Sequence, residues 1–337
     1  MNTEHVDIGL ARFSDWAFTS SVVVLVVALL LLAVELAYSR GRKVESRELV
    51  GAAAAATSNM SATVGAESAT PGIVAAEQKR GIDERVGKAG LALVYVGIGL
   101  LLVCIVLRGL ATERVPWGNM YEFINLTCFS GLIAAAVVLR RPQYRALWVF
   151  VLVPVLILLT VSGRWLYTNA APVMPALQSY WLPIHVSVVS IGSGVFLVAG
   201  VASILFLLKM SQARPASKDP AEGALARIVQ RLPDAQTLDR IAYRTTIFAF
   251  PVFGFGVIFG AIWAEEAWGR YWGWDPKETV SFIAWVVYAA YLHARSTAGW
   301  RDKKAAWINV VGFVAMVFNL FFINLVTVGL HSYAGVG

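Results

Sequence analysis

Eight stretches of this 337-residue chain, 20–37, 89–107, 120–139, 146–162, 184–208, 245–263, 279–294 and 306–330, are almost free of charge. Each comes close to the about 20 apolar residues that carry a helix across a bilayer. Backbone polar groups in such segments find no water, so each segment must close its own hydrogen bonds as a helix. The expected fold is all-α: a polytopic membrane helix bundle of about eight transmembrane helices. Composition agrees, because a chain with 58% hydrophobic and only 15% charged residues has too little polar surface to stay soluble as a monomer.

Charge sets the expected orientation. With the first long loop assigned to the cytoplasm, the inner loops hold 22 of the 28 lysines and arginines. The other side holds six: Arg12, Arg108, Arg114, Arg164, Arg270 and Lys277. That bias places both termini on the outer side of a plasma membrane. The net charge of +7 is therefore a topology signal, with no nucleic-acid partner implied. The first span has its basic flank after it, so it is expected to be retained as a helix rather than cleaved as a signal peptide. Residues 1–38 are read as an outer segment plus the first transmembrane helix, 39–88 as a flexible cytoplasmic linker, and 89–337 as the membrane core. The linker reading rests on the Ala, Ser, Thr and Gly richness of 51–72. In the inner loop 209–244, Leu225, Ile228, Val229 and Leu232 follow helical spacing with Arg227 and Arg231 on the wetter side, which predicts a short interfacial helix. The outer segment 164–181, with its prolines and aromatics, reads as structured.

Between Trp263 and Trp274 four of the twelve tryptophans, joined by Tyr271, fall within twelve residues. Belt anchoring at the interface explains any single one of Trp263, Trp268, Tyr271, Trp272 and Trp274. Clustering in one outer loop, 263–278, argues instead for an aromatic platform and a flat ligand. His185 opens the fifth span and His331 closes the eighth, at the level of that loop. Two neutral imidazoles across a gap are a natural axial pair for haem iron, with indoles stacking the porphyrin; the alternative is two hydrogen-bonding side chains at the interface. Cys104 and Cys128 lack a Cys-x-x-Cys spacing and read as buried filler. Phosphate-binding glycine loops, nucleophile elbows and zinc-protease helices are absent.

Asp275-Pro276-Lys277-Glu278 reads as a helix start, with Asp275 at the N-cap, Pro276 at the first position and Glu278 at the third. Both carboxylates are thereby assigned to holding the seventh helix rather than to chemistry. Arg270 and Lys277 are the loop's only cations; haem propionates need such partners, and lipid phosphates use them equally well. His293 lies about 22 Å of helix beyond Glu278, toward the inner leaflet, and an ionisable group inside a span is a functional candidate by default. Phe282, Val286 and Ala289 share its face, and no second histidine of this chain is placed to pair with it.

The run from Gly260 through Trp263, Trp268, Gly269, Arg270, Tyr271, Trp272, Gly273, Trp274, Asp275, Pro276, Lys277 and Glu278 to Tyr291-Leu292-His293 resembles the tryptophan-rich signature of haem-handling membrane proteins. The Asp-Pro-Lys-Glu ending and the eight-span layout are similar to the CcsA/ResC family of system II cytochrome c biogenesis. Asn119-Met120-Tyr121-Glu122, Pro175-Ala176-Leu177 with Trp181 and His185, Leu238-Asp239-Arg240 with Tyr243-Arg244, and Gly329-Leu330-His331-Ser332-Tyr333 support the match over roughly 89–333. Tyr271 stands where many related sequences show Trp.

The resemblance implies a protein that takes haem b, as transported ligand and substrate, to an outer site. There it presents haem to apocytochrome c, whose Cys-x-x-Cys-His thiols form thioethers with the vinyl groups. His185 and His331 match the outer axial pair. His293 matches a membrane histidine whose partner belongs to a ResB-type subunit, and Trp263, Trp268, Trp272, Trp274 and Asp275 match the haem platform. Cytochrome c synthase activity of the haem lyase type is expected only in complex with that subunit, with thiol-reducing thioredoxin-like proteins as further partners. A haem exporter without ligation activity, a transmembrane b-type electron-transfer protein and a scaffold anchored by its tryptophans are the alternatives.

Overall fold

The computed structural model describes residues 6–60, 82–173, 177–212, 224–327 and 329–331. Every regular element among them is helical: α1 (Ile8–Met60), α2 (Ile82–Thr112), α3 (Met120–Val138), a short 3₁₀ turn (Pro142–Tyr144), α4 (Leu147–Trp165), α5 (Trp181–Gln212), α6 (Ala224–Arg231), α7 (Ala235–Trp268), α8 (Pro276–Ser296) and α9 (Lys303–Leu325). Seven of them, α1 to α5, α7 and α9, contain stretches long and apolar enough to cross a membrane. The remaining expected span is α8, whose 21 residues extend about 31 Å but whose ends carry Lys277, Glu278, His293 and Arg295. The polytopic helical bundle is as expected, and α6 is the short helix read from residues 225–232.

Sequence-adjacent spans and the α5–α7 pair pack antiparallel. Ser14 Oγ donates to the Cys104 carbonyl and Ser21 Oγ to that of Gly97, so α1 and α2 run in opposite directions. Gly192 abuts Phe253, Gly256 abuts Val189 and Gly260 abuts His185, which sets α5 against α7 in the same way. Ser281 with Asn319 and Tyr288 with Gly312 pair α8 with α9. Small residues permit these approaches, since there is no hydrophobic drive between helices in lipid and close van der Waals packing must replace it. At Gly194 a Cβ would stand 2.5 Å from the Gly131 nitrogen, so α3 and α5 touch backbone to backbone. Asn309 donates to the hydroxyls of Ser203 and Thr246 and ties α9 to α5 and α7 inside the bundle.

These pairings bring the start of α5, the end of α7, the start of α8 and the end of α9 to one end of the bundle. A buried ion network closes the same end: Arg108 and Arg114 both bond Glu122, Arg108 also pairs with Asp15 and bonds the Thr168 carbonyl, and Arg114 bonds the Ala171 carbonyl. It straps segment 166–171 across α1, α2 and α3, so the outer segment is structured as expected over its described residues; Met174, Pro175 and Ala176 lie outside them.

Three boundaries differ from the expectation. α1 continues to Met60, so residues 39–60 of the expected linker are helical; the run Ala52–Ala56 consists of the best helix former. The remainder of that linker, 61–81, lies outside the described residues, as do His5, Ser332 and Tyr333. α7 persists through Ala264-Glu265-Glu266-Ala267 to Trp268 and stops at Gly269, whose φ of +70° is the left-handed cap that glycine adopts without a Cβ penalty. Trp263 and Trp268 are therefore helical, and the outer loop shrinks to residues 269–275. α9 ends at Leu325, so His331 sits in a turn six residues beyond it rather than on the last helix.

Candidate functional site

The α8 start is built as its sequence implies. Asp275 caps the helix, Pro276 occupies its first turn, and Glu278 returns to the cap in a reciprocal capping box. Glu278 does more than close the box. Its Oε2 accepts from the Gly273 N–H at 2.9 Å and the Asp275 N–H at 3.1 Å, and its Oε1 accepts from Arg270 at 3.2 Å. Three donors on one carboxylate pin the loop tightly enough to hold Trp274 at φ +58°, a conformation that costs a bulky residue of order 1–3 kcal/mol.

Asp275 also reaches beyond its own helix. Its Oδ1 accepts from the Leu330 N–H and its Oδ2 contacts His331 Nδ1, both at 2.8 Å. Gly329 makes this approach feasible, because a Cβ there would lie 2.6 Å from Asp275 Oδ1. Burial opposes ionisation of Asp275, yet the hydrogen bonds from His331, Leu330 and Lys277 outweigh it and bring its carboxyl down to about 2. The scaffolding role read from the sequence is present, and orientation of a candidate ligand is added to it.

His185 is held in a comparable way from a different helix. Its Nδ1 lies 2.8 Å from the Gly256 carbonyl on α7, and its ring stacks on Trp263 with centroids 6.0 Å apart at 12°. A carbonyl and an ionised carboxylate can only accept, so the Nδ1 of each histidine carries the proton. In the neutral form of such a ring the lone pair resides on Nε2, the nitrogen that binds a metal. Trp263 joins the two histidines: its centroid is 6.0 Å from each ring, and Trp268 packs edge-on against both Trp263 (4.8 Å) and His331 (5.1 Å).

His185 and His331 line one cavity of about 990 Å³, counting its open mouth, together with Lys277, Tyr271 and Trp272. The aromatic residues divide into two groups. Trp263 is buried beneath the histidines and Trp268 is half-buried beside it, whereas Tyr271 and Trp274 are exposed at 62% and 67%, and the half-buried Trp272 packs edge-on against Trp274. The cluster is a supporting wall plus an open rim rather than one flat platform.

The two cations also separate. Arg270 is engaged by Glu278 and lies over the Trp268 ring, while Lys277 turns into the cavity and donates to the Asn319 carbonyl at 3.1 Å. His293 is elsewhere, exposed in the last turn of α8 at the opposite end of the bundle, on a face shared with exposed Phe282 and Val286. Among the described residues no cluster of three metal-ligating side chains occurs. Sequence reasoning missed Gly256, Gly260, Gly329 and Asn319, which act through backbone atoms or through missing side chains. A glycine spaced four residues before another on a helix was the only available signal.

Residues 117–331 match the cytochrome c assembly protein family. The chain belongs to that family. It is similar to the cytochrome c biogenesis protein CcsA of Guillardia theta, 35% identical over 258 residues that cover 71% of this chain and 85% of the relative. CcsA of Gloeobacter violaceus is 32% identical over 292 residues, covering 73% and 85%, and CcsA of Synechococcus sp. (strain CC9902) 35% over 274, covering 74% and 88%. The resemblance read from the tryptophan loop is thus borne out at the level of the family. The matched region of this cytochrome c assembly protein begins at Trp117, just before the Asn119 cap of α3, and ends at His331. It therefore contains both cavity histidines and every residue that holds them.

Proposed function

We propose that the cavity holds haem b as substrate between His185 and His331 and presents it to apocytochrome c for thioether formation. The observation that carries this reading is the pair of imidazoles at one cavity, each with Nδ1 fixed on an acceptor-only oxygen. Such pinning sets the tautomer and aims Nε2, which is how proteins orient histidine ligands. Lys277, inside the cavity, is the partner for a propionate; Arg270, held on Glu278, serves the loop's shape. The exposed Tyr271 and Trp274, with the half-buried Trp272, form the rim on which the porphyrin edge and the incoming peptide meet.

The reaction asks for placement. A thiol adds across a vinyl group with its sulfur bonding one carbon and its hydrogen going to the other, so no external electron donor is consumed. Holding the two reactants in register can supply several kcal/mol of the barrier, up to about 7–11 in ideal cases. His293, exposed and away from this cavity, fits a second haem position completed by a histidine of a ResB-type subunit. The positive-inside charge count supports an outer position for the cavity.

Replacing His185 or His331 with Gly in the complex with the ResB-type subunit should abolish covalent haem on an apocytochrome peptide and shift the haem spectrum, with added imidazole restoring both. Unchanged spectra in both variants would overturn the axial pair. Bound haem with normal spectra but no covalent product, in the unaltered complex, would leave an exporter instead.

A further inference from the structure

At the end of the bundle opposite the histidine cavity, a polar pocket opens between α7, α8 and the α8–α9 turn. Four arginines line it, Arg240, Arg244, Arg295 and Arg301, against two carboxylates, Asp239 and Asp302. Arg295 is already spent: its guanidinium pairs two-fold with Asp239 and lies 4.6 Å over the Tyr243 ring. Asp234, capping α7, adds attraction for Arg240 from outside the pocket. Arg240, Arg244 and Arg301 remain exposed and turned to the opening, with Asp302 as the one carboxylate lining it that no arginine pairs.

A second observation identifies the kind of anion. Arg240 and Arg244 stand one turn apart on α7, and the next turn on the same stripe presents Ile247 and Phe248, 48% and 56% exposed. Phe255 continues the apolar stripe along the membrane-spanning part of the helix at 56% exposure. Cations at the mouth followed within about 6 Å by open apolar surface match an amphiphile whose charged group and chains are that close. Arginine forks fit the oxygens of a phosphate.

We propose that this pocket binds the phosphate of an acidic membrane lipid, with the acyl chains lying along Ile247, Phe248 and Phe255. The site is independent of the haem cavity: it uses other residues, at the other end, and stands whether or not His185 and His331 bind iron. Arg295, locked by Asp239 and Tyr243, forms the rigid wall, and the exposed arginines close on the headgroup. A lipid so placed lies across the start of α7 and the end of α8, which the Arg295–Asp239 pair already joins.

The full-length protein, purified, stripped of lipid and then offered both lipids in equal amounts, should retain phosphatidylglycerol over phosphatidylcholine by native mass spectrometry. It should also melt at a higher temperature in phosphatidylglycerol-containing nanodiscs than in phosphatidylcholine ones. The R240Q/R244Q double variant should weaken phosphatidylglycerol retention about tenfold or more, as loss of charge-assisted hydrogen bonds implies. Arg301→Gln, exposed in the turn outside the helices, provides a second variant that leaves helix packing untouched and should weaken it in the same direction. Equal retention of the two lipids, a preference unchanged in both variants, or the same stabilisation by inorganic phosphate alone would overturn the proposal.

Discussion

Asp275 is the residue on which the site turns, because one carboxylate caps α8, receives the Leu330 N–H and fixes His331. Its identity as a cap was legible in the Asp-Pro-Lys-Glu run; its bond to His331 was not, since nothing local reports a contact across 56 residues. Its depressed pKa dictates a pH response. The stabilisation it gives is complete above the ordinary 3.8 and is lost as pH falls from there through about 2. Thermal melts of the purified protein should therefore lose an increment between pH 4 and 2. Asp275→Asn should melt lower already at pH 5 and lack that acid-dependent increment. A variant with the parent's full acid profile would show that the carboxylate does not carry the clamp.

At the scale of elements, helix existence was readable everywhere that apolar length spoke, and helix ends were readable only where a cap was written in the sequence. Gly269 stops α7, but the aromatic density before it suggested a loop, whereas Ala264 to Ala267 simply favour helix. Apolar residues continue past Leu325, yet the chain leaves the helix there because Asp275 captures Leu330 from another element. The most consequential contact between elements is that of α5 with α7 at Gly260. A Cβ at that position would lie 2.6 Å from His185 Cε1, and the ring cannot retreat, being bonded to Gly256 and stacked on Trp263. Gly260→Ala should cost about 1–3 kcal/mol of overpacking. It should reduce haem recovered with the purified complex while leaving helical circular dichroism unchanged. Undiminished haem would mean that this approach does not position His185.

For the whole molecule, the eightfold pattern of apolar stretches was enough to anticipate the bundle, and antiparallel pairing did the rest by gathering four helix ends around one cavity. The proposed direction of the bundle in the membrane rests on charge alone and has a direct test. In intact cells, an impermeant maleimide should label Tyr180→Cys, at the cavity end, and reach Ser296→Cys, at the opposite end, only after permeabilisation; the native Cys104 and Cys128 are buried and give little background. The reverse pattern would invert the proposed orientation. The turn that carries His331 has a consequence in time as well as in space. Ribosomes deliver the chain from its start, so α5 and His185 enter the bilayer early, and the matching histidine emerges only after α9. Throughout synthesis the half-made protein has at most one of the two imidazoles at this cavity, so under the proposed axial pairing an unfinished chain would not trap a cargo that needs both.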